Sequence, residues 1–349
     1  MKKITVIGHF AFGKELLNGQ TIKTKIIATE LENQLGANEV GKVDTYGGKK
    51  VLPKLFFKSA KALKTSKNVV ILPAHNGIRF FVPVLSFFNR FHKRKLFYIV
   101  IGGWLPQYLQ DKKRLEKQLK RFDGIFVETN TMKNALESMD FTNVFVMPNC
   151  KPLQVLKEEE LVLSANEPYK LCTFSRVSKE KGIEDAVNVV KAVNDTFGRT
   201  VYTLDIYGPI DNTQTEWFEN CQKRFPDYVQ YKGAIAFDSS VAILKEYFAL
   251  LFPTKAFTEG VPGTIIDAYA AGIPVISSRW ESFSDIIKEG QTGIGYAFEN
   301  GEELTESLKE IANNPEKIMG MKKSCLQAAE KYQPKTVIGE FLSTLDSLS

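Results

Sequence analysis

Short apolar segments alternate with amphipathic, helix-like segments along the whole chain, and this alternation constrains the fold more than any other feature. The expected strands form two series. The first series lies at residues 4–8, 69–73, 96–101, 124–128 and 144–147. The second lies near residues 170–175, 200–207, 229–231, 249–252 and 274–277. Because strands that alternate with helices form parallel sheets covered on both faces, the sequence predicts two Rossmann-like, doubly wound α/β domains.

The segment 148–168 carries the expected domain boundary. It contains three prolines and three consecutive glutamates, a composition typical of a connecting segment. We therefore predict an N-terminal domain over residues 1–150 and a C-terminal domain over residues 151–333. The last helical pattern, within residues 334–349, follows the second series of strands and could cross back to the N-terminal domain.

The sequence lacks the usual signals of export and membrane insertion. No apolar stretch approaches the roughly 20 residues that span a bilayer, and the apolar part of residues 1–8 is too short for a signal peptide. The four cysteines form no C-x-x-C pair, which argues against a zinc or thioredoxin-like site and fits a reducing compartment. We therefore expect a cytoplasmic protein.

Charge is distributed unequally between the two halves. Residues 1–150 contain 25 Lys and Arg against 11 Asp and Glu, whereas residues 151–349 contain 21 against 29. A single basic run is usually a solvated surface, but an imbalance over a whole half predicts an anionic ligand or surface for that half. Because no nucleic-acid recognition motif accompanies the basic residues, nucleic acid is not an expected partner.

An aromatic segment at residues 87–91 lies beside a basic cluster at residues 89–95. This combination suits an anionic bilayer, where aromatic rings insert and cations meet lipid headgroups. On this interpretation the N-terminal half contacts the membrane peripherally and accepts a lipid-linked glycan. A core helix with a basic flank is the alternative interpretation.

Two cations follow the first strand of the second series. Arg176 and Lys181 lie in the segment 174–182, between the end of a strand and the start of a helix. Ligands of open α/β sheets bind at the carboxyl ends of the strands. The two side chains could therefore neutralise a pyrophosphate, Arg as a fork and Lys as a point charge. The alternative is that they are surface cations without a ligand.

A turn with two glycines and a proline precedes an apolar helical run at residues 259–271. A helix that begins near Gly263 would offer free N–H groups and the positive end of its dipole to a phosphate. Glu259 can accept hydrogen bonds from sugar hydroxyls, and Asp267 can do the same for a ribose. Asp267 could instead compensate the helix dipole.

The connection between the first strand and the first helix contains two glycine motifs. The pattern Gly8-x4-Gly13-Lys14 has the spacing of a P-loop, but Glu15 stands where that motif needs Ser or Thr, and we therefore reject it. The second motif is Asn18-Gly19, where Gly19 would let the backbone approach a phosphate closely. An ordinary loop turn is the alternative.

Together, these segments resemble the large retaining family 4 of the GT-B glycosyltransferases, the glycosyl transferases group 1. The family's Gly-Arg-x4-Lys-Gly segment is matched from Ser175 to Gly182, with Ser in place of the first Gly. Its Glu-x7-Glu motif is matched from Glu259 to Asp267, with Asp as the second acid. The resemblance is close over residues 170–295 and loose elsewhere. It implies a GT-B architecture, in which two Rossmann-like domains face each other across a cleft.

The resemblance implies a role for each matched residue. Arg176 and Lys181 would hold the donor diphosphate and, with Glu259, take part in catalysis. Asp267 would hold the ribose, and Ile235 would meet the edge of the base. The remaining expected donor contacts are Gly19, Gly260, Val261, Pro262, Gly263 and Thr264.

The expected reaction is the transfer of a sugar from a nucleoside-diphosphate sugar, with UDP as the expected nucleotide, to a glycan or lipid-linked acceptor. The family resemblance implies retention of configuration by front-face attack, in surface polysaccharide or glycolipid synthesis. Because the sequence contains no Asp-x-Asp, we expect neither a metal nor a cofactor.

On the acceptor side the sequence departs from the family. Many members carry a histidine after the fourth strand of the first domain, where this chain has Ile101-Gly102-Gly103-Trp104. His75 and Trp104 are the candidates for acceptor contacts. Two alternatives to a transferase stay open: a non-catalytic nucleotide-sugar-binding partner of a transferase, and a sugar-nucleotide epimerase, which shares the fold.

Overall fold

The computed structural model describes residues 1–14, 16, 19–163 and 166–348. The chain divides into two compact units. The first unit comprises Met1–Pro152 together with Tyr332–Ser349, and the second comprises Leu153–Lys331. Each unit contains a six-stranded sheet, and the paired strands of both sheets run parallel.

In the sheet of the first unit, the strand order changes direction between the first and third strands. Its strands are β1 (Lys2–Gly8), β2 (Val40–Asp44), β3 (Ser66–Ile71), β4 (Lys95–Ile99), β5 (Gly124–Val127) and β6 (Val144–Val146). They pair in the order β2-β1-β3-β4-β5-β6. Because the connections after β1 and β3 leave toward opposite faces of the sheet, a crevice opens between them at the carboxyl edge.

Helices cover both faces of this first sheet. They are α1 (Gly19–Leu35), α2 (Leu52–Thr65), α3 (His75–His92), α4 (Leu105–Leu109), α5 (Lys113–Leu119) and α6 (Asn130–Glu137). Helices α2 and α3 pack against each other and bury Leu63 and Leu85 in the core of one face. Ile27 and Leu31 of α1 lie in the core of the other face.

The sheet of the second unit has the strand order of a dinucleotide-binding fold. Its strands are β7 (Tyr169–Phe174), β8 (Tyr202–Tyr207), β9 (Val229–Gly233), β10 (Ala249–Phe252), β11 (Val275–Ser278) and β12 (Gly293–Tyr296). They pair in the order β12-β11-β10-β7-β8-β9. The strand order changes direction between β7 and β10, and ligands of such sheets bind at this point.

The helices of the second unit follow the same alternation with strands. They are α7 (Ile183–Phe197), α8 (Thr215–Gln222), α9 (Ser240–Leu244), α10 (Gly263–Ala270), α11 (Phe283–Ile286), α12 (Gly301–Asn313) and α13 (Glu316–Ala329). Val190 of α7 and Leu308 of α12 are fully buried in one core with Leu204 and Ile276 of the sheet. None of the helices that the structure describes is long and apolar enough to cross a membrane.

The last helix, α14 (Pro334–Ser347), belongs to the first unit. Its buried face, including Ile338 and Phe341, packs in the same core as Ile27 of α1. The Phe341 ring lies 4.7 Å from the ring of Phe126 in β5, measured between centroids. Aromatic pairs at this separation add to the stability supplied by burial alone.

The predicted pair of doubly wound α/β folds is confirmed, but each sheet contains one strand that the apolar pattern did not reveal. The missed strands are β2 and β12, and both lie at a sheet edge. Gly41 and Lys42 interrupt the apolar residues of β2, and Gly293 and Gly295 do the same in β12. These residues shorten the apolar runs of β2 and β12, so the two strands carry a weaker apolar signal than the strands that the pattern revealed.

Candidate functional site

The loops after β7 and β10 meet at the carboxyl edge of the second sheet. Gly182 ends the first loop with a left-handed backbone, φ 66°. A Cβ atom at this position would lie 1.9 Å from the carbonyl oxygen of Pro253, which follows β10. The backbone N–H of Lys255 also donates to the carbonyl of Glu180 at 2.8 Å. Only glycine fits this contact, so the sequence fixes the two loops against each other here.

This contact places Lys181 beside Glu259, 78 residues further along the chain. The Lys181 ammonium forms an ion pair with Oε1 of Glu259, and both side chains are largely buried, with exposures of 19% and 15%. The ammonium also lies 5.5 Å from the centroid of the Phe252 ring. Burial, together with the neighbouring Arg176 charge, lowers the pKa of Lys181 to about 8.

Two oxygen atoms at this site have no hydrogen-bond partner among the described residues. They are Oε2 of Glu259 and Oγ1 of Thr264, and both are buried. Most buried polar atoms in folded proteins are paired, because an unpaired one costs about 1–3 kcal/mol. Unpaired oxygens of a carboxylate and of a hydroxyl, five residues apart around the start of α10, are expected where a polyhydroxylated ligand binds.

Helix α10 begins at the same place without a side-chain cap. Pro262 is its N-cap residue, its side chain makes no capping hydrogen bond, and the first turn contains no acidic residue. The first backbone N–H groups of a helix have no partner within the helix. The start of α10, at Gly263 and Thr264, can therefore donate hydrogen bonds to an anion and offers it the positive end of the helix dipole.

Arg176 lies in the same loop as Lys181 but is much more exposed, at 63%. Its guanidinium forms an ion pair with Asp211 at 3.2 Å, measured from Nη1 to Oδ2. An ion pair whose cation is this exposed contributes little to stability. Arg176 can therefore exchange Asp211 for a ligand anion at low cost.

Asp267 lies at the fifth position of α10 and is almost completely buried. Its Oδ1 accepts a hydrogen bond of 2.8 Å from the Ser240 hydroxyl, at the start of α9. The structure therefore gives this carboxylate a protein partner that neither the helix-dipole interpretation nor the ribose interpretation included.

The remaining residues expected at the donor site lie around the start of α10 or in a neighbouring loop. Gly260 and Val261 are buried, and Pro262 is half-buried. Ile235 lies two residues beyond the end of β9 and is half-buried. The carboxyl ends of β7, β9 and β10 share one edge of the sheet, so all these residues belong to that edge.

In the first unit, His75 and Trp104 form an aromatic cluster with Tyr108. His75 begins α3, directly after the loop that follows β3, and its ring lies 4.0 Å from the Trp104 ring. Tyr108 meets the Trp104 ring edge-on at 5.2 Å. The Trp104 indole N–H donates to the carbonyl of Ile101 at 2.8 Å, which fixes the ring. Partial burial lowers the pKa of His75, which favours its neutral form.

Gly19 is the first residue of α1 and is exposed. A Cβ atom added there would meet no heavy atom of the described residues within 4 Å, so these residues do not require glycine at this position. Asn18 and Glu15, which belong to the two glycine motifs of this connection, lie outside the described residues.

The loop after β1 uses its backbone donors internally. The N–H groups of Phe10, Ala11 and Phe12 donate to the Asp44 carboxylate at 3.0–3.1 Å. Burial opposes the charged form of this carboxylate, but the backbone donors outweigh it and lower the pKa of Asp44. An internal anion thus occupies the donors that a phosphate would need in a P-loop.

Sequence reasoning missed a buried ion pair between Lys23 and Glu128. Both side chains are almost fully buried. Lys23 also donates to the carbonyl of Val100 at 3.3 Å, and Glu128 accepts the N–H of Gly102 at 3.2 Å. The pair therefore fixes the loop that carries Trp104. The available signal was a lysine in the buried stripe of α1, where an apolar residue would be expected.

Comparison with known proteins gives one family match and several relatives. The sequence model of the family described as "Glycosyl transferases group 1" matches residues 168–314. A Klebsiella pneumoniae protein described as "Uncharacterized 41.2 kDa protein in cps region" is 24% identical over 274 residues, which cover 74% of this chain and 73% of that protein. The alpha-monoglucosyldiacylglycerol synthase of Acholeplasma laidlawii is 24% identical over 180 residues, which cover 52% of this chain and 44% of the synthase.

Among solved structures, Anabaena Alr3699/HepE in complex with UDP and glucose has a similar architecture. The TM-score is 0.75 with 13% sequence identity, and the superposition covers 99% of this chain and 100% of HepE. At this identity the likeness establishes the GT-B fold. The family match over residues 168–314 adds that the second unit of this chain is similar in sequence to the glycosyl transferases group 1.

Proposed function

We propose that this protein is a retaining hexosyltransferase that moves a sugar from a UDP-sugar to a glycan or lipid-linked acceptor. Residues 151–333 would form the donor domain and residues 1–150 the acceptor domain. The observation that carries this proposal is the polar cluster between β7 and β10. There, the Lys181–Glu259 pair and the uncapped start of α10 accompany two buried, unpartnered oxygens.

The donor diphosphate would bind at the start of α10. The free N–H groups of the first turn and the helix dipole favour an anion, and Arg176 and Lys181 add two positive charges. Negative charge grows on the diphosphate as the glycosidic bond to it breaks, so these fixed groups stabilise the transition state. Because the sequence contains no Asp-x-Asp and the cations can neutralise the leaving group, we propose that transfer needs no metal.

The sugar and the ribose would use the two acidic residues. Oε2 of Glu259 can accept a hydrogen bond from a sugar hydroxyl, and the Thr264 hydroxyl can donate or accept one, which would satisfy both unpartnered atoms. Asp267 and Ser240 would accept the ribose hydroxyls by opening or sharing their own hydrogen bond. Backbone groups of Gly260 and Val261 would line the same pocket.

The proposed reaction retains the configuration at the anomeric carbon. The acceptor oxygen attacks this carbon on the face from which the diphosphate departs. The bond from the anomeric carbon to the phosphate oxygen breaks, and the bond to the acceptor oxygen forms. The acceptor proton passes to the departing phosphate oxygen, while Arg176 and Lys181 hold the leaving diphosphate.

The acceptor would bind in the first half, beside the His75–Trp104 cluster. Anabaena HepE binds UDP and glucose, and the Acholeplasma laidlawii relative is by name a synthase of a glycosylated diacylglycerol. These relatives, with the basic first half, support a UDP-sugar donor and an anionic or lipid-linked acceptor at the inner face of the cell membrane. The product would belong to a surface polysaccharide or a glycolipid.

The proposal is tested with a panel of nucleoside diphosphates and their glucose and N-acetylglucosamine derivatives. We expect UDP to raise the melting temperature, because a ligand that binds only the folded state stabilises it. Arg176→Ala should lower transfer at least about tenfold, or roughly 1.4 kcal/mol. Arg199→Ala is the matched control, since Arg199 is also exposed and paired with a carboxylate, Glu167. Equal activity of the two variants would remove Arg176 from the donor site.

A non-catalytic nucleotide-sugar-binding subunit is the second candidate. The observation that favours it is the hydrogen bond from Ser240 to Asp267, which occupies the carboxylate proposed for the ribose. Single-turnover assays of the purified protein with a radiolabelled UDP-sugar separate the two functions. A protein that binds UDP but transfers no label to material in lipid, glycan or aqueous extracts would be the non-catalytic subunit.

A further inference from the structure

Helices α2 and α3 display exposed phenylalanines on neighbouring surfaces. Phe57 of α2 and Phe91 of α3 are 71% and 73% exposed, and Phe87 is 50% exposed. The rings form a connected series: Phe57 meets Phe56, Phe56 meets Phe88, and Phe88 meets Phe87, with centroids 4.8–5.6 Å apart. Large apolar side chains grouped at a surface mark a site of interaction.

Lysines accompany Phe57 along α2. Lys54, Phe57, Lys61 and Lys64 follow at intervals of three or four residues, so they share one face of the helix. The three lysines are exposed. On α3, Arg90 is exposed and stands between Phe87 and Phe91 in the sequence.

The chain around these helices carries charge of one sign only. Between Asp44 and Asp111 the sequence contains twelve Lys and Arg and no Asp or Glu. A surface that binds an ordinary protein partner usually mixes both signs or carries few charges at its centre. Apolar rings on helices whose own charged side chains are all cations instead match an anionic bilayer, whose phosphates lie above its acyl chains.

Two cations near these helices have structural partners and are not available to a ligand. Arg94 donates from Nε to the carbonyl of Leu63 at 3.1 Å and joins the ends of the two helices. Lys95 forms an ion pair with Asp123 at 3.1 Å. These two residues belong to the basic cluster at 89–95, but they have structural partners.

From these observations we infer that α2 and α3 form one membrane-insertion surface, in which Phe57, Phe87 and Phe91 enter an anionic bilayer. Lys54, Lys61, Lys64 and Arg90 contact its phosphates. This inference rests on the proposed function, because it gives the acceptor half its partner. It adds α2 to the aromatic and basic segment at residues 87–95.

Vesicle co-sedimentation tests the surface in the intact protein. We expect binding to vesicles of phosphatidylglycerol mixed with phosphatidylcholine and no binding to phosphatidylcholine alone. The variant Lys54→Gln/Lys61→Gln/Lys64→Gln should weaken binding on the order of a hundredfold, since each cation at an anionic surface contributes about fivefold. The matched control replaces Lys191, Lys223 and Lys335, exposed lysines elsewhere in the chain, with Gln and should bind as the wild type does.

Insertion is tested separately from charge. Phe57→Ser/Phe91→Ser should weaken vesicle binding about tenfold or more, because the rings lose their apolar contact with the acyl chains. In the variant Phe57→Trp, lipids with brominated acyl chains should quench the added fluorescence. Both positions are exposed, so neither substitution should lower the melting temperature.

Several results would overturn the inference. They are wild-type protein that stays in the supernatant at low salt, a Phe57→Ser/Phe91→Ser variant that binds like the wild type, and absence of quenching in Phe57→Trp. A dimer in analytical ultracentrifugation that Phe57→Ser/Phe91→Ser dissociates would assign the surface to a second copy of the chain instead. Calorimetry with UDP on the same variants keeps the two proposals apart: vesicle binding without UDP binding contradicts the proposed function alone.

Discussion

The surroundings of Lys181 disfavour the charged form of its side chain. Burial and the nearby Arg176 lower its pKa to about 8, while the contact with Glu259 keeps it at the site. A lysine with a pKa near the working pH of an enzyme is partly neutral before the donor binds. The bound diphosphate would then favour the charged form.

We therefore predict an alkaline limb in the pH dependence of kcat/KM for the donor. The lowered pKa means that the ammonium is present below about pH 8 and is lost as the pH rises through that value. The loss removes a cation from the leaving diphosphate, so kcat/KM should fall. In Lys181→Arg the guanidinium stays charged throughout, and this limb should disappear. A wild-type kcat/KM that is constant across pH 8 would contradict the role given to Lys181.

The two acids should have separable effects. Glu259→Gln should lower kcat at least about tenfold with little change in UDP affinity, because UDP lacks the sugar that Glu259 is proposed to contact. Asp267→Asn should weaken UDP binding about tenfold through the ribose. Calorimetry with UDP and steady-state kinetics measure the two effects. Glu167→Gln, at the opposite edge of the sheet before β7, is the control, and equal losses of UDP affinity in both site variants would refute the division.

Residue types and spacing were enough to single out Lys181 and Glu259, and the structure brings the two together. Their contact depends on the strand order, which puts β7 next to β10, and on Gly182, which lets the loops touch. The sequence could not reveal the partner of Asp267, because Ser240 lies 27 residues away in a short helix without a recognisable motif. A hydrogen bond across two elements is a property of their packing, and local sequence carries no record of it.

At the scale of elements, α7 has a left-handed glycine at each end. Gly182 has φ 66° and Gly198 has φ 64°. A Cβ atom at Gly182 would collide with the carbonyl of Pro253, whereas one at Gly198 would meet no atom of the part of the chain that the structure describes within 4 Å. The two positions thus share the same backbone requirement and differ only in their surroundings.

This difference makes the two glycines a matched pair for mutation. Gly198→Ala should lower the free energy of unfolding by about 1 kcal/mol, the cost of a left-handed alanine. Gly182→Ala should cost at least about 2 kcal/mol more, because the loop after β7 must move away from Pro253. It should also raise KM for the donor, since Lys181 moves with the loop. Urea unfolding measures the first effect, and equal unfolding free energies for the two variants would show that the loop contact is not tight.

Apolar runs revealed the central strands of both sheets because these strands are buried on both faces. The pattern did not reveal β2 and β12, where Gly41 and Gly295 stand inside edge strands. A Cβ atom at Gly41 would lie 2.2 Å from the Thr5 hydroxyl, so glycine is needed there for close strand packing rather than for a turn. A glycine in a short apolar segment therefore hides an edge strand from analysis by periodicity.

At the scale of the molecule, the net charge of the second half has the same sign as the donor that this half is proposed to bind. The half proposed to bind an anionic donor is itself acidic, with 29 Asp and Glu against 21 Lys and Arg over residues 151–349. The field of the whole half therefore does not attract the donor. Binding must depend on local groups at the start of α10 and on the largely buried Lys181.

Salt should therefore affect the two proposed interactions differently. Exposed charges are screened over about 10 Å at 0.1 M salt, whereas buried charges are screened much less. Raising the salt concentration should release the protein from anionic vesicles, since that contact is made by exposed lysines. UDP affinity should change only a few-fold over the same range of salt concentration. It should also be the same in EDTA as in magnesium. Calorimetry with UDP, at low and high salt and with EDTA or magnesium, measures both effects. A steep fall in affinity with salt would mean that exposed cations such as Arg176 supply most of the binding, and a requirement for magnesium would replace the cation mechanism with a metal-bridged diphosphate.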